Sequence, residues 1–175
     1  MKVCQQTRNS IRFMTKADLD VVLSWRNSRE VRENMYTQHK ITPEEHYDWF
    51  VSSKNNPKRH LMIVEKDSIP FGVVNIIENA EGNIAEWGFY TAPNSEKGSG
   101  SLLAQLALKY AFTKLKIHKV CGQALAKNEK SIRFHHRQGF TEEGKLREQY
   151  FDGIQYHSVI CFGLLKKEWL LKTED

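Results

Sequence analysis

Residues Ile84 to Phe112 are IAEWGFYTAPNSEKGSGSLLAQLALKYAF, and they decide the fold. The part from Glu86 to Thr91 has the aromatic and β-branched content of a strand, and Pro93 ends it. Gly98-Ser99-Gly100 follows. Apolar residues then recur at helical spacing, at Leu102, Leu103, Leu106, Ala107, Tyr110 and Ala111. The stretch therefore predicts a strand, a glycine-bearing loop and a helix, in that order.

A glycine-bearing loop at a helix start predicts an anion site. Free backbone N–H groups and the positive end of the helix dipole meet there, and glycines let the backbone approach a ligand closely. Such a site suits a phosphate or pyrophosphate. The spacing is not that of a P-loop, and Leu103 stands where a dinucleotide-binding fingerprint needs its third glycine. The remaining G-x-G turn is by itself equally consistent with a flexible helix start.

Length and composition indicate one soluble globular domain over residues 1–175. No apolar run approaches the length of a membrane span, and the segment Met1 to Phe13 is too polar for a signal peptide. We therefore expect a cytoplasmic protein without a membrane partner. Cys4, Cys121 and Cys161 lie far apart, and no Cys/His cluster has zinc spacing, so neither a disulfide framework nor a metal site is predicted.

The formal net charge is +5, and it does not come from one block of Lys and Arg. A modest positive balance fits an anionic small-molecule partner such as CoA or a nucleotide, and it fits no particular partner equally well. A nucleic-acid binder would carry a denser basic face with interleaved aromatic residues, so nucleic acid is not a predicted partner.

The flanking sequence predicts the other elements. Thr42-Pro43-Glu44-Glu45 has the N-cap, the proline and the acidic third position of a strong helix start, and Thr15 caps an earlier helix. The remaining expectations are a strand at Ile11–Phe13, a hairpin of Leu61–Glu65 and Phe71–Ile77, a strand at Val120–Leu125, a helix at Glu129–Arg137 between Asn128 and Gly139, and a final hairpin of Thr141–Phe151 and Ile154–Leu165.

Two motifs stand in order along the chain, Ser95-Glu96-Lys97-Gly98-Ser99-Gly100 and Asn128-x-x-Ser131-Ile132 leading to Gly139-Phe140. With them, Ile11 to Trp169 resembles the GNAT superfamily of N-acetyltransferases. The family loop runs Arg/Gln-x-x-Gly-x-Gly/Ala and binds the pyrophosphate of acetyl-CoA; Ser95 replaces the usual Arg or Gln here. The resemblance implies an α/β GNAT fold, with a mixed, mostly antiparallel central sheet that is splayed between strands 4 and 5 and flanked by helices.

The resemblance also implies where acetyl-CoA, the expected cosubstrate, would bind. It is expected in the gap between strands 4 and 5, with its pantetheine arm on the strand backbone and its pyrophosphate on the loop. The expected cofactor-binding residues are Trp87, Gly88, Phe89, Tyr90, Lys97, Gly98, Ser99, Gly100, Ser101, Asn128, Ser131 and Phe134. A plain packing role for Gly88 and a plain N-cap role for Asn128 remain open.

Acetyl transfer by direct amine attack needs a stabilised oxyanion and a proton for the leaving thiolate. The general acid of the family is most often a Tyr four residues before the glycine at position 139, and His135 holds that position here. An imidazole donates a proton near neutral pH, so His135 is the expected acid, with His136 as its competitor. Glu86 is the expected base through water, against the alternative of an exposed strand residue.

A narrower resemblance rests on four segments, Leu23 to Asn27, Val31 to Tyr36, Ile41 to His46 and Trp49-Phe50. Together with Trp87 to Tyr90, these segments look like the UDP-4-amino-4,6-dideoxy-N-acetyl-β-L-altrosamine N-acetyltransferases of pseudaminic acid synthesis, which often serves flagellin glycosylation. The resemblance implies a UDP-amino-sugar substrate. The substrate-side candidates are Arg26 and His46 for the phosphates, Met35, Tyr36 and Trp49 for the sugar face, and Gln123 and Tyr90 beside them.

Other functions remain open on the same fold. The acceptor is alternatively a ribosomal-protein N-terminal amine or a polyamine such as spermidine, although a polyamine site should carry many acidic residues. From a different class, the chain is alternatively a silent acyl-CoA-binding module without turnover. Relatives in the family are often dimers, so a homodimer through the last hairpin is a further expectation.

Overall fold

The computed structural model describes residues 8–79 and 81–173, and a seven-stranded sheet forms its centre. The strands are β1 (Asn9–Phe13), β2 (Arg59–Lys66), β3 (Ile69–Glu78), β4 (Ile84–Thr91), β5 (Lys119–Leu125), β6 (Thr141–Phe151) and β7 (Tyr156–Leu165). Their order across the sheet is β1-β2-β3-β4-β5-β7-β6. Only β4 and β5 pair in parallel, and the other neighbours are antiparallel.

Six helices accompany these strands within the described residues. They are α1 (Leu19–Asn27), α2 (Arg29–Arg32), α3 (Pro43–Asn55), α4 (Ser99–Lys109), α5 (Glu129–Gln138) and α6 (Lys166–Thr173). A π-type turn over Tyr110–Lys114 extends α4. The sequence did not predict α6, which follows β7 without an intervening turn; the ring of its Trp169 lies 5.2 Å from that of Phe112. None of the described helices is long and apolar enough to cross a membrane.

The predicted helix boundaries are confirmed by their capping contacts. Glu45 N donates to Thr42 Oγ1 at 3.2 Å, and Thr42 N donates to Glu45 Oε2 at 2.7 Å, which is the reciprocal pattern of a capping box. Asn128 Oδ1 accepts from Ser131 N at 3.0 Å and caps α5, which ends at Gly139 with φ of 92°. The predicted strand start at Ile154 is wrong, because this residue lies in the turn between β6 and β7 and is 90% exposed.

The sheet carries a hydrophobic core on each face, as the alternation of side chains along its strands requires. One core lies under α4 and α5 and includes Trp87, Leu103, Phe134 and Phe162. The other lies under α1 and α3 and includes Val22, Phe50, Ile63 and Val73. We call these the α4/α5 face and the α1/α3 face.

The sheet opens between β4 and β5, as the family resemblance predicted. The two strands pair only from Ile84 to Glu86 against Lys119 to Cys121, although β4 continues to Thr91 and β5 to Leu125. Beyond Glu86 the β5-facing edge of β4 is therefore free of ladder partners within the described residues. Alternation sends Trp87 toward the α4/α5 face and Glu86 toward the α1/α3 face.

Candidate active site

The loop between β4 and α4 forms an open backbone cradle. Gly98 is the N-cap of α4 and has φ of 97°, a conformation that favours glycine. A Cβ atom on Gly98 would meet no atom within 4 Å, so the cradle has room beside it, whereas a Cβ on Gly100 would lie 3.3 Å from Phe134 Cε2. The N–H of Ser99 donates to the Glu96 carbonyl at 3.1 Å, whereas the N–H groups of Gly100 and Ser101, in the first helical turn, have no partners inside the helix. This arrangement fits a pyrophosphate.

Two contacts hold the cradle in place. The hydroxyl of Ser95 donates to the carbonyl of Ala92, so the residue that departs from the family pattern stabilises the turn. Lys66 Nζ lies 2.5 Å from Glu96 Oε2 and ties the loop to β2. Lys97 is exposed beside Gly98, where its ammonium adds positive charge to the cradle.

The point where β4 and β5 separate is filled by two aromatic side chains. Trp87 Nε1 donates to His135 Nε2 at 3.3 Å, and His135 Nδ1 lies 2.8 Å from the carbonyl oxygen of Ser131. Because an indole N–H only donates, Nε2 must be the unprotonated nitrogen, and Nδ1–H therefore donates to Ser131. Burial lowers the pKa of His135, and the hydrogen bond to Ser131 partly opposes this. His135 is 1% exposed and neutral near pH 7.

The predicted general acid thus has its only N–H committed to a backbone carbonyl. Its role in protonating the thiolate stays a prediction. His136, the alternative acid, is exposed and lies 3.8 Å from Glu142 Oε2. Asn128 caps α5, and Ser131 and Phe134 lie on that helix, with the ring of Phe134 4.9 Å from the ring of Phe89.

On the α1/α3 face, Tyr36 bridges the sheet to the loop after α2. Its hydroxyl donates to Gln123 Oε1 at 2.9 Å, and the hydroxyl of Tyr150 donates to its carbonyl at 2.7 Å. Burial raises the pKa of Tyr36, and nearby Cys161 and Glu86 add to the effect. Glu86 and Gln123 are both exposed on this face. The sequence did not single out Tyr150, because its approach depends on the β6–β7 register.

A group of cationic and polar side chains contacts the loop that follows Tyr36. Arg26 Nη2 donates to the carbonyl of Thr37 at 2.8 Å, and Arg32 Nη1 donates to the carbonyl of Gln38 at 3.1 Å. No carboxylate in residues 8–79 and 81–173 pairs with either guanidinium. Four buried nitrogen atoms there have no hydrogen-bond partner, namely Arg26 Nη1, Arg32 Nε, Gln38 Nε2 and His46 Nε2. We call these four residues the cationic cluster.

The cationic cluster joins predicted and unpredicted residues. Burial lowers the pKa of Arg26; Tyr90 opposes this shift, and the like charge of Arg32 adds to it. Burial and Arg26 also lower the pKa of His46. Arg26, His46 and Tyr90 were predicted substrate-side residues, whereas Arg32 and Gln38 were not. Beside the cluster is a recess of about 380 Å³ lined by Glu33, Asn34, Gln38 and Lys127.

The two remaining predicted substrate contacts are Trp49 and Met35. Trp49 stacks on His46 with a ring separation of 5.1 Å and packs against the core under α1 and α3. Met35 is half-buried in the loop after α2, and its N–H donates to the Arg32 carbonyl at 3.1 Å. Their contacts with a sugar stay predictions. Cys121 and Cys161 are free and half-buried, and Cys4 lies outside the described residues.

Comparison with known proteins places this geometry in a family. The model of the acetyltransferase (GNAT) domain matches residues 8–141. The chain is 27% identical over 172 residues to a spermidine N(1)-acetyltransferase of Vibrio cholerae, covering 94% of this chain and 97% of that protein. It is 26% identical over 128 residues to acetyltransferase PseH of Campylobacter jejuni, covering 73% and 80%.

A solved structure agrees with the fold. The crystal structure of spermidine N-acetyltransferase from Vibrio cholerae in complex with CoA and spermine superimposes with a TM-score of 0.83 at 23% identity, covering 93% of this chain and 98% of that one. The family model, the splayed sheet and the glycine cradle agree with one another. The chain therefore belongs to the GNAT acetyltransferase family and is an N-acetyltransferase.

Proposed function

We propose that this enzyme acetylates the 4-amino group of a UDP-linked 4-amino-4,6-dideoxy sugar, with acetyl-CoA as the donor. The observation that carries the proposal is the pair of guanidinium groups in the cationic cluster. Arg26 and Arg32 both donate to backbone carbonyls and pair with no carboxylate among the described residues. A nucleotide diphosphate would supply the missing negative charge.

The energetics of the cluster favour an anion. A buried donor without a partner costs about 1–3 kcal/mol, and more when the group is charged. Arg26 Nη1 and Arg32 Nε are two such donors. A guanidinium pairs with phosphate through two parallel N–H donors, so a diphosphate near Arg26 and Arg32 would satisfy both. A polyamine would instead bring positive charge toward two cations that have no screening carboxylate.

The open face suggests how the amine reaches the thioester. A sugar held with its diphosphate at the cationic cluster would lie along the α1/α3 face toward Glu86 and Gln123, both exposed there. In this proposal, Glu86 accepts the amine proton through a water molecule, and the free backbone edge of β4 polarises the carbonyl of the donor. Acetyl-CoA supplies the activated acetyl group, held by the cradle at Gly98.

A polyamine acceptor is the second candidate, and one observation favours it. The similarity to the spermidine N(1)-acetyltransferase of Vibrio cholerae extends over 97% of that protein. An N-terminal amine of a ribosomal protein and a silent acyl-CoA-binding module remain further alternatives. Three of these candidates differ in which amine gains an acetyl group, and the silent module acetylates none. One assay therefore separates all four.

The test is mass spectrometry of three acceptors incubated with the enzyme and acetyl-CoA. UDP-4-amino-4,6-dideoxy-N-acetyl-altrosamine, spermidine and a ribosomal N-terminal peptide are compared at equal concentration. We expect the acetyl mass increment on the sugar nucleotide. Acetylation of spermidine alone would refute the sugar proposal and leave the GNAT assignment intact. Acetyl-CoA binding without any acetylated product would support the silent module.

Variants of two neighbouring arginines test the cationic cluster. Arg26→Ala is expected to raise the KM for the sugar nucleotide at least about tenfold, the loss of one charged hydrogen-bonded contact, with little change in the KM for acetyl-CoA. Arg29→Ala is the control, because the Arg29 side chain is 85% exposed and pairs with Glu33. An equal rise in both KM values for Arg26→Ala would refute the assignment of Arg26 to the sugar-nucleotide site.

We also propose that two chains associate through the β6–β7 hairpin. β6 is an edge strand. At the tip of the β6–β7 hairpin, Phe151, Ile154 and Tyr156 are 50%, 90% and 63% exposed. An exposed edge with apolar side chains is a pairing surface. Light scattering should give a dimer for the enzyme and a monomer for Ile154→Asp; a monomeric enzyme would exclude this association. A cytoplasmic location stays a prediction.

A further inference from the structure

We propose that His135 is a positioning residue that fixes Trp87 where β4 leaves β5, rather than the proton donor to the leaving thiolate. The proposal rests on the N-acetyltransferase activity and is independent of which amine is the acceptor. It reassigns the position at which the family pattern placed the acid. The residues that carry it are Trp87, Gly122, Ser131 and His135.

The two rings meet at the vertex of the splay. Trp87 is the first residue of β4 beyond the last paired position, Glu86 opposite Cys121, and Gly122 is the next residue of β5. A Cβ atom on Gly122 would lie 2.6 Å from His135 Nε2 and 2.7 Å from Trp87 Nε1. The hydrogen bond between the rings therefore passes directly over the Gly122 backbone, in space that only glycine leaves free.

The imidazole is held on both sides in one tautomer. Nε2 accepts from the indole of Trp87, and Nδ1–H donates to the carbonyl of Ser131. A proton on Nε2 would place two N–H donors against each other at 3.3 Å, so the cation is incompatible with this contact. Neither nitrogen is left to give a proton to a thiolate unless one of the two hydrogen bonds breaks.

The surroundings of the imidazole are aromatic. His135 stacks on Phe162 at 4.6 Å with an interplanar angle of 8°, and Phe140 meets it edge-on at 5.2 Å. Trp87 in turn stacks on Phe140 at 5.0 Å. His135 is 1% exposed. Such an enclosure holds an indole in a single orientation, and the hydroxyl oxygen of half-buried Ser131 lies 3.5 Å from Nδ1 of the imidazole.

As a consequence, the backbone at the first position of the free edge of β4 is held in place. The indole of Trp87 is attached at the first backbone position of that edge, and the next residues, Gly88 to Tyr90, follow it along the gap. Displacing reacting groups by about 1 Å can cost a hundredfold in rate. A hydrogen bond that fixes Trp87 would therefore influence how the donor thioester is presented, although His135 does not touch it.

Two variants separate the positioning role from proton donation. His135→Gln places an amide oxygen near the site of Nε2 and can still accept from Trp87, while it lacks a titratable proton; His135→Asn is too short to reach the indole. We expect kcat/KM within about threefold of wild type for Gln and at least about tenfold lower for Asn, consistent with one lost buried hydrogen bond. Equal activity of the two variants, whether high or low, overturns the proposal.

Two spectroscopic measurements complete the test without any acceptor. The indole N–H resonance of Trp87, assigned with Trp87→Phe, should keep its position in His135→Gln and move in His135→Asn; an unchanged resonance in Asn overturns the proposal. In the wild-type enzyme, ¹⁵N shifts of the imidazole near Trp87 should show the neutral Nδ1–H tautomer at pH 7. An imidazolium there would overturn it, even if a variant fails to fold.

Discussion

Gly122→Ala is the substitution for which the structure gives the clearest magnitude. The added Cβ would lie 2.6 Å from His135 Nε2 and 2.7 Å from Trp87 Nε1. Both atoms belong to rings packed on all sides, so neither can move away cheaply. Overpacking of this kind costs about 1–3 kcal/mol, and losing the hydrogen bond between the rings adds about 1 kcal/mol. We expect the free energy of unfolding to fall by about 2–4 kcal/mol.

The chain offers two controls for this change. A Cβ on Gly163 would also meet atoms closer than normal contact, at Glu143 and 2.6 Å from Lys119 Cε, but these lie near the ends of two long, flexible side chains that are 41% and 22% exposed. A Cβ on Gly144 would meet nothing within 4 Å. Both alanine variants are therefore expected to stay within about 1 kcal/mol of wild type.

Circular dichroism follows the unfolding of all three variants, in urea for the free energy of unfolding and on heating for the Tm. For a chain of this size each kcal/mol shifts the Tm by about 2–4 °C, so Gly122→Ala should unfold roughly 4–16 °C lower than wild type. The slope of the urea transition should stay constant if only the native packing has changed. If Gly122→Ala is as stable as Gly163→Ala, the two rings are not in contact over β5, and the reasoning about the vertex fails.

Three further predictions concern the cradle, the buried histidines and a helix cap. Gly98→Ala, at φ of 97°, should weaken acetyl-CoA binding by calorimetry while leaving acceptor binding intact, and unchanged donor affinity would exclude the cradle. Burial lowers the pKa of both His46 and His135, so the unfolded chain binds more protons below pH 6.5; stability should fall by up to about 1.4 kcal/mol per pH unit for each histidine until its folded-state pKa is reached. Urea titrations at pH 7.5 and 5.5 check this, and equal stabilities would contradict it. Thr42→Ala removes the capping box and should cost about 1 kcal/mol, whereas Thr42→Ser should restore most of it; equal losses in the two variants would show that the cap contributes little.

Local signals in the sequence were sufficient for the elements around the site. The caps at Thr42 and Asn128, the glycine at position 98 and the period of α4 each depend on residues close together in the chain, and each is confirmed. The splay between β4 and β5 was predicted from the family resemblance rather than from periodicity. A strand that pairs over three residues and then separates has the same local pattern as one that pairs throughout.

Long-range register decided what the sequence did not reveal. The contact between Trp87 and His135 joins residues 48 positions apart, and it requires that Gly122 lie between them. From the sequence alone, Gly122 was one residue of an ordinary strand. His135 was noted only because it occupies the position at which the family most often has a Tyr. Arg32 and Gln38 were not predicted for a similar reason. Each has a buried nitrogen atom without a hydrogen-bond partner among the described residues, and only the folded structure shows this.

The two faces of the sheet therefore present opposite electrostatic designs around one opening. On the α4/α5 face, the vertex is closed by aromatic rings, and the backbone N–H groups beside Gly98 are the proposed site of the donor pyrophosphate. On the α1/α3 face, Glu86 and Gln123 are exposed, and half-buried Arg26 and Arg32 each have a buried nitrogen atom without a hydrogen-bond partner. In the proposed function, a substrate on this second face would match Glu86 as the base at one end and the guanidinium groups at the other. An amine attached to a diphosphate meets that requirement, whereas a polycation meets only the first half of it.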